Sequence, residues 1–452
     1  MARAPATSAS APRSLASALP SPAPPPRGTA SPPQPATTPP PKEPSLLATR
    51  CRAWAADPRN PWALAHGMVL DGRNFRASDG RLAAEVVVAD FLRRAPLPHA
   101  LDAATEPPDR SRPGASGTSA LGLTTAPHDA GTPELARATA SSFAAPRHDA
   151  GISVARRPGD LFFDAYAPDG TPVEPHPALH LKTLLLAGYP PDHRFRTAWG
   201  TVTPRELVED LKRDFRPTLA SSPEGAWALD ALSLSLKPGA TFRDGTGATV
   251  RFDAVMETAL ATLEAAQAEL AAGMKAGRPE VPKRGQGIYA HPCGGLHSFQ
   301  AVAGWARHPS VRKKWRKRLD AQVDVLLYRL DSETRQYETA LASAPAYRLP
   351  LLVQMLKFHG HLLETLGRYR DDTGWRPTAA QRQTVERARM YLENTVRRLK
   401  EAGAFDNLES LAARQRQLAL DLVGDTCHAA HGEALWREGA SVSTPAAPAP
   451  PR

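Results

Sequence analysis

The chain has few cysteines, no long apolar run and no firm internal repeat. Its 452 residues include 3 cysteines, Cys51, Cys293 and Cys427. So small and odd a number is not the framework of a disulfide-stapled secreted domain. It leaves open a Cys293–Cys427 bridge, or thiols kept reduced for chemistry or metal binding. No stretch approaches the roughly 18 apolar residues of a membrane helix. The run Leu15 to Leu19 is short, is followed by proline and lacks the apolar region of a secretory signal, which favours the cytoplasm. A start codon elsewhere would instead admit a secreted or periplasmic protein. Without a repeat period there is no case for a solenoid.

What is present is proline and positive charge. The 46 prolines are about twice average usage and are clustered. Residues 1–45 and 441–452 are Ala- and Pro-rich with few aliphatics, so they cannot bury enough apolar surface to offset ordering and read as disordered tails. Residues 96–158 read as a low-complexity insertion carrying a small duplication, His128-Asp-Ala-Gly131 and His148-Asp-Ala-Gly151. The formal net charge of +10 bears on solubility and nonspecific binding rather than on fold.

Between these segments the patterning predicts a mainly α protein. Residues 46–95 read as an N-terminal helical part of the core, with Leu82 to Phe91 readable as helix or strand. A smaller α+β portion covers 159–252. It has a strand near Leu161, a helix opened by the capping box Thr203-Pro-Arg-Glu206, and a hairpin from Phe242 to Phe252. Trp227 to Leu236 starts helical and ends in alternation. A helical domain over 253–440 follows, a long-helix bundle or array punctuated by Pro309, Pro350 and Pro377. Its helices are expected at about 254–272, 296–307, 310–342, 349–370, 379–403 and 408–438.

The candidate chemistry lies at histidines. His291-Pro-Cys-Gly-Gly-Leu-His297 sets Cys293 before a helix, whose orphan N–H groups would favour a thiolate, and His297 one turn in. On the last helix Asp421, Asp425 and His428 share one face, while Cys427 and His431 share the next. These are spacings by which a helix presents two ligands to one metal. His361 and Glu364 are one turn apart, the reverse of the Glu-x-x-His order of carboxylate-bridged metal bundles. His66 is alone in an apolar segment. Arg312, Lys313, Lys314, Trp315, Arg316, Lys317 and Arg318 form a basic, Trp-centred helix segment that would suit an anionic surface. Asp320, Asp324 and Asp331 dilute it, and no nucleic-acid motif surrounds it.

Cys427-His428 resembles two positions of the Cys-His-Gly zinc motif of lanthionine-cyclase-like toroids, but Ala429 replaces the glycine and the helices differ too much to carry function across. Cys293 before a helix is similar to papain-like hydrolases, whose downstream sheet this chain lacks. The expectation is therefore a His/Cys-lined pocket with a metal-dependent, hydrolytic site. Cys293, His297 and Asp425 would be the catalytic groups, and His297, His361, Glu364, Cys427, His428 and His431 the ligands. Cys and His suit zinc, while added carboxylates would suit iron or manganese. The metal would activate water, with an Asp or Glu as base. The alternative is a non-catalytic helical structural or interaction protein with a protein partner. Binding of nucleic acid through the basic segment ranks third.

Overall fold

The computed structural model describes residues 45–96, 157–283, 293 and 295–437. The expected tails, almost all of the 96–158 insertion with its His-Asp repeats, and His291 lie outside the described residues. The order begins with helices α1 (Leu46–Trp54), α2 (Pro61–Asp71) and α3 (Ala83–Phe91), then strand β1 (Leu92–Arg94). Next come β2 (Leu161–Phe163), α4 (Leu179–Leu186), the ribbon β3 (Phe195–Thr197) and β4 (Gly200–Val202), α5 (Pro204–Asp214) and α6 (Gly225–Ser235). A second ribbon, β5 (Thr241–Arg243) and β6 (Thr249–Arg251), leads into α7 (Phe252–Ala266) and α8 (Ala268–Lys275). The last helices are α9 (Leu296–Trp305), α10 (Pro309–Ser343), α11 (Arg348–Thr373), α12 (Ala379–Glu401), α13 (Leu408–Arg414) and α14 (Arg416–Leu435). The protein is thus mainly α, with its longest helices in the C-terminal half.

The strands only make two-stranded antiparallel ribbons. The expected hairpin pairs Thr241 with Arg251 and Arg243 with Thr249. Of residues 82–91, ambiguous in sequence, Ala83–Phe91 are helical. Their alanines and valines are buried on several faces, and packing rather than the β preference of Val86–Val88 decides the conformation. Trp227 to Leu236 is also helical rather than alternating. The predicted helix at 254–272 breaks at Gln267, and the one at 408–438 breaks at Gln415. Pro350 does not break α11. It is the third residue of the helix, where its missing N–H is one of the unpaired first-turn donors. Both capping boxes form, Thr203 with Glu206 and Thr378 with Gln381.

Helix α11 is the centre of the molecule. Nearly every residue from Leu351 to Tyr369 is buried, so it is covered all round rather than on one stripe. One hydrophobic cluster runs from Leu47 in α1 to Ala430 in α14 and joins the N-terminal helices to the C-terminal ones. The tightest packing is between α11 and α14. A Cβ on Gly360 would stand 2.7 Å from Ala429 Cβ, and one on Gly432 would stand 2.9 Å from the Gly360 carbonyl. Glycine is needed at both positions because backbone meets backbone there. This closeness brings His361 and Glu364 of α11 against His428 and His431 of α14.

Gly360→Val should therefore lower stability by roughly 1–3 kcal/mol, the usual cost of overpacking. Equilibrium denaturation checks this; an unchanged midpoint would show that the two helices have room to separate.

Candidate metal centre

Three helices deliver the imidazoles. His297 is the second residue of α9, His361 lies mid-way along α11, and His428 lies in α14. Helix α9 begins after Gly295, whose φ of 75° turns the chain sharply inward. The rings of His361 and His428 are 3.9 Å apart, centroid to centroid. His297 is 5.0 Å from His361 and 5.8 Å from His428. One ring nitrogen from each of the three lies within 4.8 Å of the others, and all three residues are buried.

Neighbouring groups fix which nitrogen carries the proton. Arg368 has only donors, and its Nη1 bonds Gln300 Oε1 at 3.0 Å. That sets the amide orientation, so Gln300 Nε2 faces Thr365 at 2.9 Å and Glu364 at 3.4 Å. His297 Nδ1 is 3.1 Å from the same Oε1, an acceptor, and must donate to it. Its Nε2 is then the lone-pair nitrogen. His428 Nδ1 likewise donates to Glu364 Oε2 at 2.8 Å, leaving its own Nε2 unprotonated. Glu364 Oε1 accepts from His431 Nδ1 at 2.9 Å. His361 lies between two carboxylates, Nδ1 3.7 Å from Glu364 and Nε2 3.7 Å from Asp425. Carboxylate or amide oxygens behind ring N–H groups are the support that orients metal-ligating histidines.

Burial sets the protonation of the cluster. It pushes His428 down to about 4, against the opposing pull of Glu364. It also drives His297 well below the usual range, helped by Lys182, His361 and His428. These rings are neutral at ordinary pH, the form that binds metal. Burial alone would raise Glu364, but His428 and His431 more than reverse this and hold it well below the carboxylate range.

The trio faces a cavity of about 200 Å³. On one wall are Lys357, Asp421 and Asp425, with Lys357 Nζ 3.4 Å from Asp421 and 3.8 Å from Asp425. Asp425 Oδ2 accepts no hydrogen bond. Burial is the main cause that raises this carboxyl to about 8, with Lys357 opposing. On the other wall is Lys182, 3.4 Å from Asp230, which Arg368 grips through both guanidinium nitrogens. Cys293 and His66 also line the cavity. His66 Nδ1 meets the Trp62 carbonyl at 2.7 Å, and its ring is 5.1 Å from that of His428.

Two expectations need correction. Cys427 is bonded to Cys51, tying α14 to α1, so its sulfur is no metal ligand and no Cys293–Cys427 bridge forms. The helical i, i+4 spacing that paired Cys427 with His431 points the cysteine toward α1 and the histidine toward Glu364. Glu364 and His431, also expected as ligands, do not line the cavity; Glu364 accepts the N–H groups of His428 and His431. The basic segment is elsewhere: none of residues 312–318 lines the cavity. Lys314, Arg318 and the Trp315 indole N–H all bind Glu257 of α7, and Arg318 also binds Glu264 at 2.6 Å. Arg316 faces Asp320 at 3.9 Å, while Lys313 and Lys317 are exposed.

Sequence reasoning missed Lys182, Asp230, Gln300 and Arg368. A signal existed for two of them: Lys182 and Asp230 are single charges inside the apolar runs Leu179–Leu186 and Gly225–Ser235, where an unpaired charge would be costly. Comparison with protein-family models, with curated proteins and with solved structures found no match. Among the described residues no helix is long and apolar enough to cross a membrane.

Two measurements check this description. Unfolding without reductant should expose 1 reactive thiol per chain, since the pair Cys51–Cys427 takes two of the 3 cysteines; three thiols would contradict the pairing. Cys51→Ser should cost about 2–5 kcal/mol of stability. His180, on the helix that carries Lys182, is fully buried with Nε2 2.8 Å from the Val173 carbonyl. Burial lowers it from 6.5 to about 4. The unfolded chain therefore takes up this proton first, and the His180 contribution is present above pH 6.5 and lost as pH falls toward 4. An NMR titration should show the ring neutral down to about pH 4; an inflection at 6.5 would overturn the assignment.

Proposed function

We propose that His297, His361 and His428 hold one metal ion, preferably zinc, and that the centre serves a hydrolytic reaction in the adjoining cavity. The observation that carries this reading is the convergence of three ring nitrogens within 4.8 Å. Ligands about 2.0–2.1 Å from a tetrahedral zinc stand about 3.3 Å apart, so closing on the ion needs movements of about 1.5 Å or less. Small side-chain rotations supply that, and a ring whose Nδ1 donates, as His428 to Glu364 and His297 to Gln300, would offer its Nε2 lone pair to an ion.

The ligand count favours catalysis over a structural site. Structural zinc takes four protein ligands, whereas catalytic zinc keeps a position for water or substrate. Here three imidazoles meet a cavity. A metal in this position would lower the pKa of a bound water and polarise a carbonyl or phosphoryl oxygen. Asp425 is the group placed for proton transfer, because Oδ2 accepts no hydrogen bond and the side chain lines the same cavity. In the hydrolytic step, with Asp425 in its ionised form, which burial confines to alkaline pH, the water oxygen bonds to the electrophilic carbon or phosphorus and a water proton passes to Asp425. The bond to the leaving group breaks, and that group departs with the proton returned. Lys357 anchors Asp425 and Asp421 on the wall. Cys293 lines the cavity too, but its sulfur is not in the three-ligand cluster.

The competing reading is a non-catalytic helical protein whose histidines pack for stability; the edge-on contact of His297 with His361 would serve that role as well. Zinc binding separates the two. Untagged chain reconstituted with zinc and dialysed should hold one ion per chain. His361→Ala and His428→Ala should hold none while keeping the helical circular dichroism. Glu364→Gln should weaken affinity about 10- to 100-fold, the usual effect of removing a ligand's support. Wild type that retains no zinc, or alanine variants that retain as much, would remove the metal reading.

A further inference from the structure

Lys182 is 5% exposed and lines the cavity on the side of His297. Its ammonium is 3.5 Å from His297 Nδ1, a long contact to a nitrogen that lies nearer, at 3.1 Å, to Gln300 Oε1. Among the described residues its one carboxylate within ion-pair distance is Asp230, at 3.4 Å. Asp230 in turn receives three contacts of 3.1–3.2 Å from Arg368. Arg368 also feels a second carboxylate, Asp372, and Arg307 lies near the same group. Glu364, the other nearby carboxylate, spends its hydrogen bonds on the N–H groups of His428 and His431, while its charge still acts on Lys182. A buried ammonium has three donors, of which Asp230 and the long contact to His297 take two, so one is left for a ligand in the cavity. Burial accordingly pulls Lys182 below its ordinary range, and Asp230 only partly restores it.

The same cavity has apolar lining. Pro172, Pro175, Leu179 and Trp62 contribute it, Leu179 one turn before Lys182 on α4 and Trp62 beside Gly424. A cavity of about 200 Å³ admits a molecule of the size of a substituted benzene and little more.

We propose that Lys182 is the anion-holding residue of this cavity, and that the site takes a small organic acid whose carboxylate or phosphate meets the ammonium while its apolar body lies against the proline, leucine and tryptophan wall. The inference rests on the metal reading for where the reacting bond would lie, whereas the anion contact itself does not require the ion. An anion at Lys182 supplies an acceptor to the part of the ammonium that faces the cavity.

Calorimetry with phenylacetate, phenyl phosphate and neutral phenylacetamide tests this on the full chain, both zinc-loaded and chelator-stripped. Wild type should bind at least one of the two anions tenfold or more tighter than the amide in both states. Which anion wins distinguishes carboxylate from phosphate. Lys182→Met should lose that preference, Lys182→Arg should keep most of it, and both should retain the zinc stoichiometry. Equal affinity for acid and amide in stripped wild type would overturn the proposal even if Lys182→Met fails to fold. So would a preference that survives Lys182→Met. Zinc retained without anion preference defeats this inference alone, and anion preference without zinc defeats only the metal reading.

Discussion

The site depends on one buried carboxylate. Glu364 is 3% exposed between the two most closely packed helices, and it holds two imidazole N–H groups of α14, one on each oxygen. A carboxylate in that position is tolerable only because it is hydrogen-bonded on both sides; without those donors its desolvation would cost several kcal/mol. The pairing in turn needs the helices close together. That is the role of Gly360 and Gly432, whose missing side chains let backbone approach backbone one turn from the histidines. Packing, charge and tautomer are thus a single constraint: the contact that brings His428 within reach of His361 also leaves its Nε2 unprotonated.

A second polar network acts on the other side of the trio. Arg368 binds Asp230 and Gln300 together, and Gln300 passes the orientation on to His297. Arg368 and Glu364 are four residues apart on α11, so one helix carries both devices and His361 between their partners. The disulfide from Cys427 to Cys51 holds α14 next to the His428 position. Three elements far apart in sequence are thereby fixed around one cavity.

How much of this was legible in the sequence follows from the range of each interaction. The helices were readable because periodicity and caps are local. Thr203–Glu206 and Thr378–Gln381 form as spaced, and Pro350 misleads only because a proline in the first turn is harmless. His297, His361 and His428 were named as candidates, because a polarisable side chain in an apolar helix is conspicuous. What spacing could not supply was direction. Cys427 and His431 are one turn apart, yet they face different helices, and nothing local marks Cys51 as the partner across 376 residues. Arg368 stays hidden for the same reason, and Lys182 and Asp230, conspicuous as lone charges in apolar helices, show their partners only in three dimensions. The basic stretch at 312–318 reads as an anion surface until Glu257 and Glu264 are seen against it.

The central claim is that three imidazoles, supported by Glu364 and Gln300, form one metal site without sulfur. X-ray absorption at the zinc edge of the reconstituted chain tests it most directly. The account predicts a first shell of nitrogen and oxygen at about 2.0–2.1 Å with outer scattering from three imidazole rings and no sulfur shell at about 2.3 Å. A sulfur shell, or fewer than two imidazoles, would contradict it.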